Sequence, residues 1–369
     1  MSGEQRQGAL SGRKKFKILS IDGGGIRGII PCKLLTDLES ELMKRDGENA
    51  RLVDYFDLIC GTSTGGIIAI GLALGLTAKE ILELYEGNGN EIFPGRRRTI
   101  ANKLHCFLTN KSFYSRDRLK ELLQQTYNKC TRDGDTRLGH AKTRLVIPTY
   151  NAEHGKIHVF KTAHAEGLFR DYQIPAVDAA LSTAAAPAYF EPYSFTYTNK
   201  GTSDRQTFNN LVDGGLVANN PAYIGLIEAT EALRVSLQEV SLLSLGTGLD
   251  NFTTRIHPKK MGSKFWTNPL NKNGIHLYNA MASAQSEDID NKLSLVKRGV
   301  AGCHQESFEY LRIQHVFNKG EAIDLDDTSN HALTTMNSIA QQLFRIHGAE
   351  IEKRFLQEKK NDFQPLKTL

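Results

Sequence analysis

The stretch DLICGTSTGG at residues 57–66 holds a serine in a setting that suits a nucleophile. An apolar run ends at Cys60, and Ser63 follows between Gly61 and Gly65 in the pattern GxSxG. Where this pattern joins a strand to a helix, the backbone turns so sharply that only small residues fit beside the serine, and its hydroxyl projects near the positive end of the helix. An ordinary turn gives the same five letters, but the apolar segments on both sides favour a nucleophile elbow.

Such a serine needs a base, and the sequence offers an aspartate more readily than a histidine. In NLVDGGLVANNP, Asp213 ends an apolar strand, Gly214 and Gly215 follow, and Pro221 opens another helix. We interpret Asp213 as the base, although a lone aspartate in this position more often only begins a turn. An ordinary carboxylate with a pKa of about 4 is a weak base for a hydroxyl, so we expect burial at the strand end to raise the pKa of Asp213.

A histidine acting between the serine and an acid is the alternative, because a catalytic triad uses one. No histidine stands out for this role. The candidates lie in polar or alternating contexts or without neighbouring glycine turns: His140, His154, His158, His164, His304, His315 and His347. The sequence therefore favours an acid that acts directly and leaves the triad as the second interpretation.

A third feature is the loop IDGGGIRG at residues 21–28. Three consecutive glycines after a buried strand leave backbone N–H groups free to point at one spot, which suits an oxyanion or a phosphate. The loop also fits GxGxxG through Gly23, Gly25 and Gly28, which keeps a dinucleotide site as an alternative. Against that alternative, Pro31 places the helix start after the loop, and the next strand ends without the acid that would hold a ribose.

Strand and helix patterns alternate around these three features. The period-2 and β-branched runs predict strands, and the 3.6-residue repeats predict helices. We predict strands within 16–21, 53–60, 143–151, 156–162, 208–215 and 239–248, and helices within 31–45, 67–76 and 175–186. This alternation predicts an α/β fold with a mainly parallel sheet and helices on both faces, in which sites gather at the carboxyl ends of strands.

Length and composition describe a globular protein. The 369 residues are 40% hydrophobic, which is enough for a sizeable core, and the longest apolar run covers only residues 66–76, far short of the roughly 20 that a membrane-spanning helix needs. Residues 1–13 lack the apolar stretch of a secretory signal, so we expect a flexible basic tail and a cytoplasmic protein. The five cysteines are widely spaced and are expected to be free thiols.

Charge and metal-ligand patterns add little. Without a CxxC or HExxH pattern, no metal site is predicted. The net charge of +5 is modest, and the dense basic run GRRR at 95–98 is read as a solvated loop or as a contact for an anionic membrane or nucleotide. From about residue 250 the sequence pattern changes. The polar stretch at 251–274 resembles a loop or lid, and we predict a late strand within 310–317 and an amphipathic helix within 331–360.

Together and in this order, IDGGGIRG, GTSTGG and VDGG resemble the oxyanion loop, nucleophile elbow and catalytic aspartate motif of the patatin-like phospholipases. AAAPAYFEPY at 184–193 and SLGTG at 244–248 are also similar to family landmarks. The resemblance covers about residues 14–250. It implies a patatin-type three-layer α/β/α sandwich with a mainly parallel sheet, and a Ser-Asp dyad that uses neither histidine nor calcium. We accordingly divide the chain into a tail (1–13), a catalytic core (14–250) and a lid loop with a helical C-terminal region packed on the core (251–369).

The same resemblance implies roles for individual residues. Ser63 is the nucleophile and Asp213 the base of a phospholipase A type acyl hydrolase that uses no cofactor. The N–H groups of Gly24, Gly25 and Ile26 form the oxyanion hole. Arg27 braces the loop or meets phosphate. The remaining motif positions support the turns: Gly23, Gly28, Gly61, Gly65, Gly214 and Gly215.

A patatin of this length is also similar to the CapV-type effector phospholipases of bacterial anti-phage (CBASS) systems, which a cyclic oligonucleotide activates. This resemblance implies a phospholipid membrane surface as substrate, reached from the cytoplasm at the inner membrane, a cyclic oligonucleotide as candidate activator, and a homo-oligomer as candidate assembly. No nucleic acid polymer is expected as a partner. The alternatives are a storage-type patatin or a non-specific esterase without nucleotide control, and a nucleotide-responsive module.

Overall fold

A mixed sheet forms the centre of the molecule. The computed structural model describes residues 14–95, 99–249, 260–268, 276–302, 308–318 and 321–369. Within these ranges the strands are β1 (Phe16–Ile21), β2 (Leu58–Gly61), β3 (Arg144–Asn151), β4 (Lys156–Lys161), β5 (Tyr193–Thr198), β6 (Arg205–Asp213), β7 (Val240–Leu245) and β8 (Glu309–Ile313). They lie in the order β5-β6-β3-β2-β1-β7-β8, and β4 pairs with β3 outside this path.

The strands of the sheet's centre are parallel, as the sequence predicted. β1 pairs in parallel with β2 and β7, β2 with β3, and β7 with β8. The antiparallel pairs are β3 with β4, β3 with β6, and β5 with β6. β1 therefore lies at the middle of a parallel block, which explains why its sequence is a nearly continuous buried run.

Helices cover both faces of the sheet. Their bounds are α1 (Ile29–Asp46), α2 (Thr64–Leu74), α3 (Ala78–Glu86), α4 (Gly89–Ile92), α5 (Ile100–Leu108), α6 (Asp117–Tyr127), α7 (Ala176–Thr183), α8 (Gly215–Ala218), α9 (Ala222–Ile227), α10 (Ser263–Thr267), α11 (His276–Gly302) and α12 (Asn330–Phe355). Of the helices in the described ranges, none combines the length with the apolar character that crossing a bilayer requires.

Alternating strand residues feed two separate cores. Leu19 and Ile21 of β1 join the larger cluster, which also takes residues from α1, α2, α3, α6, α7 and α12. Ile18 of the same strand points the other way, into a second cluster with Leu226 of α9 and Leu293 of α11. The predicted three-layer α/β/α arrangement is therefore confirmed, with the sheet as the middle layer.

Local signals set several helix boundaries. Pro31 lies in the first turn of α1, where its missing N–H has no partner to lose, so the helix begins two residues earlier than predicted. α3 begins with a capping box in which the Thr77 side chain accepts from the Glu80 N–H and the Glu80 carboxylate accepts from the Thr77 N–H. Pro221 directly precedes α9, as predicted.

The sequence prediction differs from the structure most at two strands, β2 and β5. The strand predicted within 53–60 is wrong in its first half, because Leu52–Asp54 form a 3-10 turn and β2 begins only at Leu58. In that segment the Asp57 carboxylate accepts a hydrogen bond from the Lys17 N–H at 2.9 Å, which links the approach to β2 with β1. β5 was not predicted, although its residues alternate between buried and exposed.

The C-terminal region contributes to the sheet as well as to the helical layers. β8 matches the first part of the predicted late strand but begins one residue earlier, and α12 lies within the predicted amphipathic helix apart from one residue at its start. α12 packs on α1. Most of the stretch predicted as a loop or lid, and the predicted tail at 1–13, lie outside the described residues.

Candidate active site

The elbow that carries Ser63 has the strained backbone that the GxSxG pattern predicts. Ser63 lies between β2 and α2 with φ 54° and ψ −124°, a conformation that a side chain rarely adopts. Both flanking glycines are needed there. A Cβ atom on Gly61 would lie 2.1 Å from the Gly65 carbonyl oxygen, and one on Gly65 would lie 2.3 Å from the Ile21 carbonyl oxygen. The pattern is thus explained by backbone packing of the elbow against β1.

Strand register brings Asp213 to the serine. β2 runs parallel to β3 and stops with Cys60 opposite Val146, whereas β6 runs antiparallel to β3 and stops with Asp213 opposite Thr149. Because β4 occupies the other edge of β3 over the same residues, β2 and β6 share one edge and meet end to end. The carboxyl ends of two strands far apart in sequence therefore face each other across a short gap.

The two side chains close this gap. Ser63 Oγ donates a hydrogen bond to Asp213 Oδ2 at 2.6 Å, and the Gly215 N–H donates to Asp213 Oδ1 at 2.6 Å. Asp213 is fully buried, and this burial raises the pKa of its carboxyl group to about 7, against the opposing effect of the two hydrogen bonds. A carboxylate with this pKa is a far better proton acceptor near neutral pH than an ordinary aspartate.

The glycine loop lies against the same site. Gly23, Gly24 and Gly25 line one cavity together with Ser63. None of the described residues accepts a hydrogen bond from the Gly24 or Gly25 N–H. The Ile26 N–H, by contrast, donates to the Leu325 carbonyl oxygen at 2.8 Å. The structure therefore leaves Gly24 and Gly25 as candidate oxyanion donors and gives the predicted third donor, Ile26, a different partner.

Each predicted supporting glycine occupies a place where a side chain would collide. A Cβ atom on Gly28 would lie 2.3 Å from the Thr64 hydroxyl, and one on Gly214 would lie 2.2 Å from the Pro148 carbonyl oxygen. At Gly23 the obstacle is the Asn219 amide oxygen, and at Gly215 it is the Asp213 carboxylate together with the Tyr278 hydroxyl. Arg27 is nearly buried, lines the cavity and has its guanidinium 5.8 Å from the Phe317 ring centroid.

Thr183, at the end of α7, joins the two halves of the site and was not identified from the sequence. Its hydroxyl accepts from the Ser63 N–H at 3.1 Å and donates to the Pro148 carbonyl oxygen at 2.6 Å. Its carbonyl oxygen accepts from the Gly214 N–H at 3.0 Å. A buried threonine before a run of alanines was the available signal, because a hydroxyl in such a place needs a partner.

A second unpredicted contact ties the glycine loop to the C-terminal region. Arg312 of β8 donates from Nη1 to Asp22 Oδ1 at 2.9 Å and from Nη2 to Asp22 Oδ2 at 2.6 Å. Both side chains are buried, and the Ser286 hydroxyl of α11 also donates to Asp22, at 3.2 Å. This two-point ion pair holds the start of the loop in place.

α11 closes the cavity from the other side. Tyr278, Asn279, Ala282 and Ser286 lie on one face of this helix and line the cavity with Ser63. Burial raises the pKa of the Tyr278 hydroxyl well above its usual value, so this group stays a hydrogen-bond donor. No histidine lines the cavity among the described residues. Within the same ranges, no cluster of three or more histidine, cysteine or acidic side chains is placed to hold a metal ion.

Replacing Gly25 with alanine tests the loop. Gly25 has φ +57°, and a Cβ atom there would lie 2.2 Å from the Leu325 carbonyl oxygen, so the variant must displace the backbone. If the loop donates to an oxyanion, we expect turnover of a small soluble ester to fall by about 10²-fold, with a smaller change in KM. Gly201→Ala is the matched control, since Gly201 also has a positive φ of 79° but open space around it.

Two other results would contradict this assignment. Parent-like turnover in Gly25→Ala would exclude the loop as an oxyanion donor. Intact ester hydrolysis combined with a loss of affinity for any nucleotide that binds the parent would instead favour the phosphate-binding interpretation of the glycine pattern.

Comparison with known proteins gives consistent matches. A family model described as patatin-like phospholipase matches residues 19–226. The chain is 30% identical over 348 residues to a protein of Escherichia coli (strain TW11681) named cGAMP-activated phospholipase, covering 92% of each chain. It is 33% identical over 350 residues to patatin-like protein 2 of Arabidopsis thaliana, covering 89% of this chain and 82% of the other. Among solved structures, VipD from Legionella pneumophila is similar with a TM-score of 0.42 and 13% identity, over 91% of this chain and 68% of that one.

Proposed function

Because this chain belongs to the patatin-like phospholipase family, we propose that it hydrolyses acyl esters of membrane phospholipids with Ser63 as nucleophile and Asp213 as base. The observation that carries the proposal is the 2.6 Å hydrogen bond from Ser63 Oγ to the buried Asp213 carboxylate. Ser63 lines a cavity that Gly24 and Gly25 also line. Nucleophile, base and anion-stabilising donors are thereby within reach of one ester group.

The proposed first half-reaction forms an acyl-enzyme. The ester carbonyl oxygen accepts from the Gly24 and Gly25 N–H groups, and Ser63 Oγ attacks the carbonyl carbon while its proton passes to Asp213 Oδ2. The tetrahedral intermediate then collapses. Its C–O bond to the glycerol breaks, the leaving oxygen takes the proton from Asp213, and the acyl group remains as an ester on Ser63.

The second half-reaction restores the site. A water molecule gives a proton to Asp213 and attacks the acyl-serine carbonyl, whose oxygen is again held by the glycine loop. Collapse releases the fatty acid, and the Asp213 proton returns to Ser63 Oγ. A single carboxylate thus acts as base and then as acid in each half, which requires a pKa near the working pH, as burial provides here.

The cavity walls suit an acyl chain, but the space is small. Apolar and aromatic side chains line the same cavity as Ser63: Ile67, Ile92, Phe93, Leu119, Tyr189 and Phe190. The free volume is about 60 Å³, which holds a few water molecules rather than an acyl chain. We infer that this conformation is closed and that a wall, most directly α11, moves before a phospholipid enters.

A closed resting form supports control by an activator. The Escherichia coli relative is named cGAMP-activated phospholipase, and its match extends through the C-terminal region that supplies α11 and β8. We propose that a cyclic oligonucleotide activates this chain in bacterial anti-phage defence. We also propose that the protein acts from the cytoplasm on the inner membrane surface. The division into a tail, a core and a capping C-terminal region, and the homo-oligomer, remain part of this proposal.

The alternative is a non-specific esterase or storage-type patatin without nucleotide control. It is favoured by the similar match to patatin-like protein 2 of Arabidopsis thaliana, whose name refers to no activator. The two functions predict different responses to added nucleotide.

Release of fluorescent fatty acid from labelled phospholipid vesicles tests the proposal. We expect little release from the purified full chain alone and at least about a tenfold increase with one member of a panel of cyclic GMP–AMP, cyclic di-AMP and cyclic di-GMP, because an activator must shift the closed form toward an open one. Equal release with and without every nucleotide would favour the unregulated esterase. Absence of release under all conditions, including with a soluble ester, would contradict the proposed hydrolase.

A further inference from the structure

Helix α5 presents an apolar stripe to solvent. Leu104, Phe107 and Leu108 are 41%, 64% and 73% exposed, and their spacing places them on one face of the helix. On the other side of α5, Cys106 is 2% exposed and faces the protein. Three large exposed apolar side chains on one helical face form an apolar patch, and such patches often mark an interaction site.

This stripe lies next to the active site. Phe107 lines a groove together with Phe113, Ala185 and Phe190, and Phe190 also lines the cavity that contains Ser63. Phe190 therefore borders both the groove and the cavity. The Ala185 carbonyl oxygen accepts the hydrogen bond of the Asp213 N–H at 3.0 Å, so the groove wall belongs to the backbone that positions the proposed base.

The charges around the stripe have one sign in the sequence. Residues 95–116 contain no aspartate or glutamate in the sequence. Of their basic residues, Lys103 is buried against the Phe113 ring, whereas Lys111 is exposed. Lys111 lines the groove under α5, where Glu191 is also present. An exposed apolar stripe in a segment that has basic but no acidic residues is the pattern of helices that lie in the interface of an anionic bilayer.

We propose that α5 docks this protein on a membrane surface rich in anionic phospholipid, with Leu104, Phe107 and Leu108 inserted among the acyl chains and the exposed Lys111 at the headgroups. The proposal rests on the phospholipase function and says where the enzyme meets its substrate. Docking by this helix brings the groove, which shares Phe190 with the cavity, close to the bilayer surface. The stripe contains two aliphatic side chains beside its one aromatic ring, which suits acyl chains better than the planar bases of a nucleotide.

Vesicle binding by a catalytically disabled protein tests the docking surface. In a Ser63→Ala background, we compare the parent with Phe107→Ser/Leu108→Ser by cosedimentation with vesicles of equal parts phosphatidylglycerol and phosphatidylcholine. We expect binding to weaken by at least about tenfold, because two large apolar side chains are lost from the interface. Ile346→Ser is the matched control, since Ile346 of α12 is 61% exposed outside the stripe. Binding of the parent should also fall with added salt and on pure phosphatidylcholine.

Hydrolysis assays separate a failure of docking from a failure of the proposed chemistry. In the active protein, which keeps Ser63, Phe107→Ser/Leu108→Ser should leave turnover of a water-soluble ester within about twofold of the parent. The same variant should hydrolyse vesicle phospholipid at least about tenfold more slowly. Parent-like vesicle binding and hydrolysis would overturn the docking proposal and leave the hydrolase intact. Normal vesicle binding with a lost response to cyclic dinucleotide would overturn it in favour of a nucleotide site at this face.

A fluorescent side chain gives a result that does not depend on loss of function. The protein has one tryptophan, Trp266, so Trp266→Phe/Phe107→Trp places a single reporter in the stripe. We expect its emission to shift to the blue and to be quenched by brominated lipid when anionic vesicles are added. Unchanged emission under conditions in which the protein cosediments with vesicles would show that α5 stays in water and would overturn the proposal.

Discussion

Ser63→Ala is expected to reduce ester hydrolysis by a factor of about 10⁴ or more, to the limit of detection, because Ser63 is the cavity-lining hydroxyl that donates to the proposed base Asp213. The fold should survive the change. Alanine differs from serine by one oxygen and meets the same backbone strain at φ 54°. The measurement is the initial rate with a chromogenic soluble ester, which avoids any requirement for activator or membrane, with thermal unfolding as the check on folding.

Covalent labelling provides the control for this result. A fluorophosphonate should react with the parent protein and with Ser40→Ala, a change at an exposed serine, but not with Ser63→Ala. The modified peptide should contain residue 63. Turnover of Ser63→Ala within tenfold of the parent, or a label on another residue, would show that the nucleophile lies elsewhere.

Asp213→Asn is expected to lower turnover by about 10³-fold with little change in KM, the scale of a lost general base. The substitution is nearly isosteric. The asparagine oxygen can still accept from the Gly215 N–H, but its NH₂ group now faces Ser63 Oγ and cannot take a proton from it. A histidine variant that loses more activity than Asp213→Asn would contradict the direct-acid mechanism and return the triad to consideration. His164 and His158 are suitable positions for this test. His164 is hydrogen-bonded to Glu228 and His158 lies near Asp171, and neither histidine lines this cavity.

The pH profile of the parent checks the same assignment. Asp213 must be ionised to accept a proton, and its pKa is raised to about 7, so turnover should rise with pH and reach half of its plateau near pH 7. The stability of the fold changes with pH in the direction opposite to turnover. A raised pKa means that the protonated carboxyl stabilises the fold at acid pH and that this contribution is lost as pH rises through about 7. Asp213→Asn should therefore raise Tm relative to the parent at pH 8 and less so at pH 4.

Sequence patterns were sufficient for features that depend on local chemistry. The α/β architecture follows from runs such as FKILSI and IIAIGLALGL, whose apolar character reports burial directly. The proposed nucleophile and base were identifiable because glycines must flank them, and a glycine beside a strand end is visible in the sequence. β5 was not predicted because its alternating residues lie beside a motif that was interpreted only as a family landmark. β2 was predicted too long because Val53, Tyr55 and Phe56 are apolar core residues outside any strand.

Contacts between distant segments were beyond the sequence. Nothing near Thr183 indicates that its hydroxyl meets the Ser63 N–H, 120 residues away, and nothing near Arg312 indicates Asp22. Ile26 illustrates the same limit from the other side. The family resemblance implies that its N–H is a free donor. In the structure this N–H donates to the Leu325 carbonyl oxygen, which belongs to a segment with no recognisable pattern. Such partners are chosen by tertiary packing, which a single sequence does not display.

The ion pair between Asp22 and Arg312 has a consequence for the order in which the protein is made. The two residues are 290 positions apart, so the ribosome releases the glycine loop, Ser63 and Asp213 well before the guanidinium that neutralises the buried Asp22 carboxylate. Until then a charge at the start of the loop lacks its partner, and an unpaired carboxylate resists burial. We therefore expect nascent chains that end before β8 to carry the reactive serine without a settled loop. Copies that end before β8 are therefore expected to lack the proposed hydrolase activity even though they contain Ser63 and Asp213.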